Sequence, residues 1–555
     1  MRDNTGNATC TVGEALITLL TDYGVEHVFG IPGVHTVELY RGLANSRIEH
    51  HTPRHEQGAG FMADGYARVS GKPGVCFVIT GPGFTNIATA MAQALADSIP
   101  MLVISSVNDT LNTPHACGML HEMPNQLAFS AEVTRFSHTI KTADELPRAL
   151  ARAFSVYRNS RPGPVHLQLP VSLLGTPTDL LKRYTRVMQR QLQAPSTTTA
   201  GSADLSAAAA LLNAAQTPLI LAGGGANIAS DTMGTLAETL DAPVLMTINA
   251  RGLLADDNVY ALPATGSLQS VRTLIEESDV VLALGTELAA TDNDMYKNGG
   301  FNIPGKLIRC DIDPMQLTNN FLADITLCGD AAVIVNTLLR ELAIKGSRRG
   351  VLRTAKTLEN ARNELTTDMR RHLQLLERIQ QSMPEAIFVG DSTQLVYSGN
   401  MLFNTATRNQ WFNSSVGFGT LGYALPAAIG ASLAEKNKPV ICLIGDGGLQ
   451  FVLGELGALQ DSESAVAIIV WRNGGYREIK TSMENAGVGA DGVELTVPDF
   501  SAIAGAYGVR GETATSDTEL CDILLSSYSK GEPVLIEIEE DQFMQSEKTI
   551  NQKPH

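Results

Sequence analysis

Cysteine is scarce in this sequence, and its cysteines are not spaced as metal-binding or disulfide-rich proteins space them. There are seven in 555 residues, an odd number, and no pair has the Cys-x-x-Cys spacing. Free thiols fit this pattern better than disulfides or a cysteine-based zinc site. Cys76, Cys310 and Cys442 stand inside apolar runs, where we expect packed side chains rather than reactive ones.

Long apolar runs and excess positive charge are also missing. No stretch approaches the roughly 18 uninterrupted apolar residues that a transmembrane helix needs, and the first ten residues contain no apolar segment of the signal-peptide type. Acidic residues outnumber basic ones by 58 to 41, which gives a net charge of −17. We therefore expect a cytoplasmic protein whose partners include neither a membrane nor a nucleic acid.

The remaining composition is that of an ordinary globular protein, 44% hydrophobic and 18% charged, and the length suggests about three domains. Short apolar runs alternate with segments of helical spacing along the chain, which predicts α/β domains built on doubly wound parallel sheets. A polar linker at 189–202 and a charged helical linker at 347–378 divide the chain. We predict three domains, at residues 1–185, 200–345 and 360–555.

The stretch 440–476 has the clearest chemical pattern. One apolar run ends in Gly-Asp-Gly-Gly at 445–448, a segment of helical spacing covers 449–459, and a second apolar run ends in Asn-Gly-Gly-Tyr at 473–476. Because parallel strands end at one edge of a sheet, these two turns should meet there. Mg²⁺ prefers oxygen ligands and often takes only one carboxylate, so the predicted metal ligands are Asp446, Asn473 and the carbonyl of Gly475. Any α/β strand can end in Gly-Asp-Gly, so the first turn alone also fits a generic phosphate-binding turn.

The combination of both turns resembles the diphosphate signature of the thiamine diphosphate enzymes, and residues 417–428 (GFGTLGYALPAA) resemble the segment that holds the bent cofactor in that family. The resemblance implies that the Gly419 carbonyl accepts from the 4′-amino group and that Leu421 separates the two rings. Without it, Leu421 would be assigned to a core, and the hydroxyls at 392 and 393 to a helix cap. The implied cofactor-binding residues in this half of the chain are Ser392, Thr393, Gly419, Leu421, Gly445, Asp446, Gly447, Gly448, Asn473, Gly475 and Tyr476.

A second pair of motifs, at 54–59 (RHEQGA) and 81–86 (GPGFTN), resembles the first domain of acetolactate synthases and of benzoylformate and related 2-oxo acid decarboxylases. The resemblance implies that Glu56 protonates N1′ of the aminopyrimidine, so that the cofactor's own amino group can remove the C2 proton. A lone Glu at a strand end is otherwise usually a solvated side chain. The implied cofactor-binding residues here are Pro32, Glu56, Gly83 and Asn86, and the three domains become pyrimidine-binding, central and diphosphate-binding.

In this family the Glu56 site of one subunit meets the Asp446 site of another, which implies a homodimer or homotetramer with active sites at the subunit interface. The family also implies a small 2-oxo acid substrate. Substrate-side candidates for catalysis are His35, His115 and His121, although loop histidines are often only surface residues. Glu122 suits a guanidinium group, yet a solvent-facing side chain remains the simpler interpretation.

Two departures disfavour an acetolactate synthase. Residues 264–267 (ATGS) replace the Gly-Met-His-Gly-like turn that binds FAD in those enzymes, and 120–122 (LHE) replace a Phe-Gln-Glu segment. FAD stays possible but not favoured, and the Gly-rich turn 223–225 lacks a full dinucleotide motif. The chain looks most like benzoylformate decarboxylases and 5-guanidino-2-oxopentanoate decarboxylases. We therefore expect thiamine diphosphate- and Mg²⁺-dependent, non-oxidative decarboxylation of a 2-oxo acid such as 5-guanidino-2-oxopentanoate. The alternatives are an acetolactate synthase-like carboligase and an inactive cofactor-binding scaffold.

Overall fold

The computed structural model describes residues 10–109, 117–183, 199–293 and 300–550. Within them the chain forms three six-stranded sheets, and every strand pair in these sheets is parallel. Helices connect the strands, as parallel pairing requires. The predicted fold class, three α/β domains with doubly wound parallel sheets, is confirmed.

The N-terminal sheet has the order β3-β2-β4-β5-β7-β6, while β1 and β8 form a separate antiparallel pair. The strands are β1 (Cys10–Thr11), β2 (His27–Gly30), β3 (Glu49–His51), β4 (Gly74–Val78), β5 (Met101–Val107), β6 (Phe136–Thr139), β7 (Pro164–Pro170) and β8 (Pro177–Thr178). The helices are Val12–Asp22, Val37–Leu43, Glu56–Ser70, Pro82–Ala96, Gln126–Ala131, Leu146–Asn159 and Val171–Leu174.

The central sheet has the order β11-β10-β9-β12-β13-β14. Its strands are β9 (Pro218–Ala222), β10 (Val244–Met246), β11 (Ala261–Leu262), β12 (Val280–Leu284), β13 (Lys306–Asp311) and β14 (Ile325–Cys328). The helices are Ser202–Ala214, Ser230–Leu240, Gln269–Glu276, Ala290–Asn293 and Ala331–Leu338.

The C-terminal sheet has the order β16-β15-β17-β18-β20-β19. Its strands are β15 (Ile387–Gly390), β16 (Trp411–Asn413), β17 (Val440–Gly445), β18 (Val466–Arg472), β19 (Arg510–Thr513) and β20 (Val534–Glu539). The charged linker forms two helices, Arg349–Glu364 and Thr367–Ser382, and the further helices are Gln394–Leu402, Ala424–Ala434, Asp446–Leu449, Glu455–Asp461, Arg477–Asn485, Phe500–Ala506, Asp517–Lys530 and Glu540–Ile550.

The described residues divide into two compact units. The first contains the chain up to 183 together with 426–436 and 452–464, and the second contains 199–425, 437–451 and 465–550. In the first unit, backbones of two helices come close: a Cβ on Gly65 would lie 2.0 Å from the Ala427 carbonyl oxygen, and one on Gly430 would lie 1.9 Å from the Met62 carbonyl oxygen. Only glycine allows this approach.

One predicted element is wrong. The spacing over 449–459 predicts a single helix, but the structure has the helices Asp446–Leu449 and Glu455–Asp461 with a non-helical segment between them. Gly447, Gly448 and Gly454 lower the helix propensity of this segment. The break coincides with a change of compact unit, because 437–451 belongs to the second unit and 452–464 to the first.

Across the described residues, no helix combines the length and apolar character that crossing a membrane requires. None of the seven cysteines, all of which lie in the described residues, forms a disulfide, and four of them, Cys76, Cys310, Cys442 and Cys521, are buried.

Candidate active site

Glu56 is the first residue of the helix Glu56–Ser70 and is half-buried at the end of the segment that follows β3. His55 caps this helix, accepting a hydrogen bond from the backbone N–H of Gln57. The Asn86 side-chain amide donates to Glu56 Oε2 at 2.9 Å, and a Cβ on Gly83 would lie 3.3 Å from Glu56 Oε1. The structure therefore brings Glu56, Gly83 and Asn86 together, with the two latter residues on the helix Pro82–Ala96.

His35 and His121 form an edge-to-face pair, with ring centroids 5.3 Å apart. The turn at Gly81 holds the backbone of His121, because the Thr80 hydroxyl donates to its carbonyl oxygen at 3.3 Å and a Cβ on Gly81 would lie 2.6 Å from the same atom. Burial and the neighbouring His121 lower the pKa of His35 below its ordinary value. The His35 ring is therefore neutral near pH 7. His115 lies outside the described residues.

Ile79 connects the two turns of this half-site. A Cβ on Gly33 would lie 2.6 Å from Ile79 Cγ2, and a Cβ on Gly83 would lie 2.7 Å from Ile79 Cγ1. Pro32 is exposed in the turn after β2, next to Gly33. The carboxyl ends of β2 and β4 thus bring Gly33 and Gly83 against one apolar side chain, as the parallel topology predicts.

Glu455 is a residue of this half-site that sequence reasoning missed. Its Oε1 accepts the backbone N–H groups of Arg54 at 3.0 Å and of His55 at 3.1 Å, the two residues before Glu56. Its side chain is buried, and burial raises its pKa to about 7 against the lowering effect of those N–H groups. The sequence feature that could have identified Glu455 is that it is the single carboxylate in the otherwise apolar, glycine-rich run 451–459.

Glu122 accepts hydrogen bonds from the backbone N–H groups of Cys117, Gly118 and Met119 at 3.3, 2.7 and 3.1 Å. The carboxylate thus organises its own loop. This use of the side chain gives no support to the hypothesis that Glu122 recognises a guanidinium group.

In the second unit, Asp446 is buried at the end of β17 and holds the turn after β18. Its Oδ2 accepts the N–H of Asn473 at 3.1 Å and of Gly474 at 2.8 Å, while Oδ1 accepts the N–H of Gly447 at 2.8 Å. Gly474 has a φ of 86° and Gly475 one of 125°, which strongly favour glycine. The two predicted turns are therefore in contact.

Gly447 lies against Gly475 and Tyr476. A Cβ on Gly447 would lie 2.9 Å from Tyr476 Cε1 and 3.7 Å from the Gly475 carbonyl oxygen. The Tyr476 N–H donates to the Val493 carbonyl at 2.9 Å, and a Cβ on Gly475 would lie 2.4 Å from that same oxygen. These contacts fix the loop on the segment around 493.

The oxygen donors of this turn suit a hard divalent cation. A carboxylate offers about four acceptor positions, and backbone N–H groups take three of those on Asp446, which leaves capacity for one metal–oxygen bond. Together with the Asn473 amide and the Gly475 carbonyl, this donor set fits Mg²⁺, which completes its shell with substrate oxygens and water.

The turn after β15 lies beside the turn after β17. A Cβ on Gly445 would lie 3.2 Å from Thr393 Oγ1, and one on Gly448 would lie 3.3 Å from the Asp391 carboxylate. Thr393 precedes the helix Gln394–Leu402, whose first N–H groups point towards this turn. Ser392 is half-buried beside it. The structure thus groups Ser392 and Thr393 with the Gly-Asp-Gly-Gly turn.

Asp391 joins this group to the segment that carries Gly419 and Leu421. Its Oδ2 accepts the N–H groups of Tyr423 at 2.9 Å and Ala424 at 3.3 Å, and burial raises its pKa to about 6. Gly419 is exposed with a φ of 74°, and Leu421 is half-buried rather than part of the core.

Arg472 is the last residue of β18 and pairs with two glutamates. Its guanidinium lies 2.8 Å from Glu537 and 2.9 Å from Glu539, both on the neighbouring strand β20. The arginine therefore pairs across the sheet.

The two Gly-containing turns of the central sheet have their carbonyl oxygens bound by arginines. Arg408 donates to the carbonyls of Ala226 and, at 2.9 Å, Gly224, and Arg272 Nε donates to Gly266 at 2.7 Å. Neither turn presents a complete phosphate-binding motif, and the prediction that FAD is not favoured stays a prediction.

Comparisons with known proteins cover most of the chain. Three family models match: the N-terminal TPP binding domain of thiamine pyrophosphate enzymes at residues 10–129, the central domain at 205–338 and the C-terminal TPP binding domain at 391–538. A probable 2-ketoarginine decarboxylase from Pseudomonas aeruginosa is 40% identical over 534 residues, 96% of this chain and 94% of that protein.

Other similar proteins are named acetolactate synthases rather than decarboxylases. A probable acetolactate synthase large subunit from Methanocaldococcus jannaschii is 30% identical over 95% of this chain and 91% of its own length, and an acetolactate synthase from Arthrospira platensis is 29% identical over 89% and 88%. The three matching models and these long alignments give one conclusion: the chain belongs to the thiamine pyrophosphate enzyme family.

Proposed function

We propose that this enzyme decarboxylates 5-guanidino-2-oxopentanoate, which is 2-ketoarginine, to 4-guanidinobutanal and CO₂ without oxidation. The observation that carries the proposal is the 40% identity, over 96% of the chain, to the probable 2-ketoarginine decarboxylase. The reaction consumes one proton, which replaces the carboxylate on the carbonyl carbon. Its atoms and electrons therefore balance without an external oxidant.

We assign the cofactor contacts to the two half-sites described above. Asp446, Asn473 and the Gly475 carbonyl would hold Mg²⁺, and the metal would hold the diphosphate together with Ser392 and Thr393. The Gly419 carbonyl would lie on the aminopyrimidine side of the cofactor, and Leu421 would lie between its two rings. The cofactor supplies a nucleophilic carbon and an electron sink for the carbanion that loss of CO₂ leaves.

Glu56 is the residue that we propose to exchange a proton with the aminopyrimidine N1′. Asn86 donates to its Oε2, which fixes the carboxyl group while leaving Oε1 next to the glycine at position 83. Since Gly83 has no side chain, a planar ring can approach that oxygen. The backbone contacts of Glu455 to residues 54 and 55 hold the start of this helix in place.

His35 and His121 are proposed to act on the substrate side. The lowered pKa of His35 keeps its ring neutral near pH 7, so that one ring nitrogen can accept a proton and the other can donate one. The ring pair can thus relay the proton that completes the aldehyde, because one nitrogen accepts a proton from water while the other donates one.

The second candidate function is an acetolactate synthase-like carboligation, in which a second 2-oxo acid takes the place of the proton. The long alignments to acetolactate synthases at 28 to 30% identity support it. The lower identity of these relatives makes carboligation the alternative.

We further propose a cytoplasmic homodimer or homotetramer in which Glu56 of one subunit faces Asp446 of another.

A substrate panel tests the choice. The purified protein, loaded with thiamine diphosphate and Mg²⁺, is given 5-guanidino-2-oxopentanoate, benzoylformate, branched-chain 2-oxo acids or pyruvate, and CO₂, aldehyde and acyloin are measured. We expect the guanidino acid to have the highest kcat/KM and the aldehyde to account for the CO₂ released. Acetolactate from pyruvate as the dominant product would overturn the proposal, and the carboligase alternative would replace it.

A further inference from the structure

Three side chains of types that can ligate a metal ion, His27, Glu49 and His51, lie together on β2 and β3, away from the residues assigned above. The strands are parallel, with His27 opposite Glu49 and Phe29 opposite His51. Glu49 and His51 are two residues apart on β3, so their side chains leave the same face of the sheet. His27 presents its side chain to that face from the neighbouring strand. Because β3 is the edge strand of its sheet, the cluster can be reached from solvent.

The ligand atoms are already close to the separations that a tetrahedral ion needs. His27 Nδ1 lies 2.9 Å from His51 Nε2 and 3.8 Å from Glu49 Oε2, and one ligand atom from each residue lies within 4.8 Å of the others. Zn–N bonds of about 2.0–2.1 Å place neighbouring ligands about 3.3 Å apart. Opening the ring pair and drawing Glu49 towards His27, by about half an ångström each, would bring these two separations to that value.

The protonation state of the rings suits a cation. Burial lowers the pKa of His27, and burial together with neighbouring His27 and His50 lowers the pKa of His51 to about 4. The hydrogen bond between the two rings uses one proton, which a metal ion bound to both nitrogens would displace. A metal ion would take both lone pairs.

The rings are also held in place by their neighbours. His27 packs edge-to-face on Tyr66 at 5.1 Å, and His51 stacks on Phe29 at 5.5 Å. The Glu49 side chain is 58% exposed, and Lys436 Nζ lies 3.9 Å from its carboxylate. Lys436 is itself 66% exposed and can turn into solvent when a metal takes its partner.

We propose that His27, Glu49 and His51 form a site for Zn²⁺, with water as a fourth ligand. Two imidazoles and one carboxylate favour zinc and the neighbouring transition metals over Mg²⁺, which takes oxygen ligands. The bound ion would tie the edge strand β3 to β2, five residues before Glu56. The site is independent of the proposed substrate and of the proposed Mg²⁺ site.

Zinc binding is measured on the tag-free holoenzyme with thiamine diphosphate and excess Mg²⁺ present, so that the Asp446 turn is saturated. Equilibrium dialysis against Zn²⁺ and elemental analysis should give one zinc per chain at micromolar free zinc. We expect His51→Ala and His27→Ala to weaken this binding by roughly tenfold or more. Co²⁺ in place of Zn²⁺ should give the visible absorption of a four-coordinate site, and this absorption should be lost in the same variants.

Two variants make the result specific. His50 stands between the ligands but bonds to the Tyr40 hydroxyl at 2.9 Å on the other side of the strand, so His50→Ala should keep the zinc. Glu49→Gln changes an exposed side chain, so reduced binding there cannot be attributed to unfolding. Failure of the wild-type holoenzyme to bind zinc would overturn the proposal. So would zinc that remains in both ligand variants, or a loss in His50→Ala equal to that in His51→Ala.

Discussion

Replacing Glu455 by Gln should change how stability depends on pH. A single oxygen, Oε1, accepts both backbone N–H groups, from Arg54 and His55, and Gln keeps such an oxygen. The other oxygen, Oε2, is buried with no hydrogen-bond partner among the described residues. The substitution therefore preserves the two hydrogen bonds and removes the ability to ionise, while the buried amide NH2 that replaces Oε2 adds a cost that is the same at every pH.

The magnitude follows from the raised pKa. Burial raises the pKa of Glu455 from its ordinary value of 4.5 to about 7. Between these values the native state binds more protons than the unfolded state, so the free energy of unfolding falls as pH rises, and the loss is complete above about pH 7. A difference from 4.5 to about 7 corresponds to about 3 kcal/mol. The Gln variant lacks this loss.

We expect Glu455→Gln to gain stability relative to wild type as pH rises from 5 to 8. Since the chain forms two compact units and is not expected to unfold in one step, the comparison uses the melting temperature of each variant minus that of wild type at each pH. A gain of about 2–4 °C per kcal/mol is expected for a unit of this size.

Two controls accompany it. Glu455→Ala removes the acceptor for both N–H groups and should destabilise the protein at every pH, by about 1–3 kcal/mol per unsatisfied group. Glu385→Gln is the matched control, because it removes a carboxylate of the same type at an exposed position. A difference between Glu455→Gln and wild type that stays constant from pH 5 to pH 8 would refute the reasoning.

Four further outcomes are expected. Glu56→Gln should lower kcat by about 10²–10⁴-fold while thiamine diphosphate still binds in equilibrium dialysis; full turnover would sink the assigned role. Asp446→Ala should raise the Mg²⁺ concentration needed for half-maximal activity, which a Mg²⁺ titration measures. Chelation of divalent metal should abolish activity, and added Mg²⁺ should restore it. Gly65→Ala, whose Cβ would lie 2.0 Å from the Ala427 carbonyl oxygen, should lower the melting temperature, whereas Gly505→Ala, with no atom within 4 Å of its Cβ, should not.

Strands were predictable from sequence because buried parallel strands leave uninterrupted apolar runs. The runs at 218–222 and 280–284 predict β9 and β12 at the bounds that the structure gives, Pro218–Ala222 and Val280–Leu284. The approach of the Asp446 turn to the Asn473 turn was predictable too, since both follow adjacent parallel strands. The roles of these residues and the domain boundaries stay predictions.

What sequence could not provide were contacts set by tertiary packing. Glu455 is nine residues from Asp446 in the chain, yet its side chain binds backbone near residue 55, and the helical spacing of 449–459 concealed the break that allows this. Likewise, His27 and His51 meet only because β2 and β3 pair in one register. A shift by one residue would place them on opposite faces.

The order in which the two compact units are completed has a consequence during synthesis. The first unit needs 426–436 and 452–464, so the ribosome must make about 240 residues after position 195 before the partner of Gly65 exists. At about 5–20 residues per second, this takes roughly 12–50 s. During that time the side of the helix Glu56–Ser70 that carries Gly65 lacks the helix Ala424–Ala434 that packs on it in the complete chain.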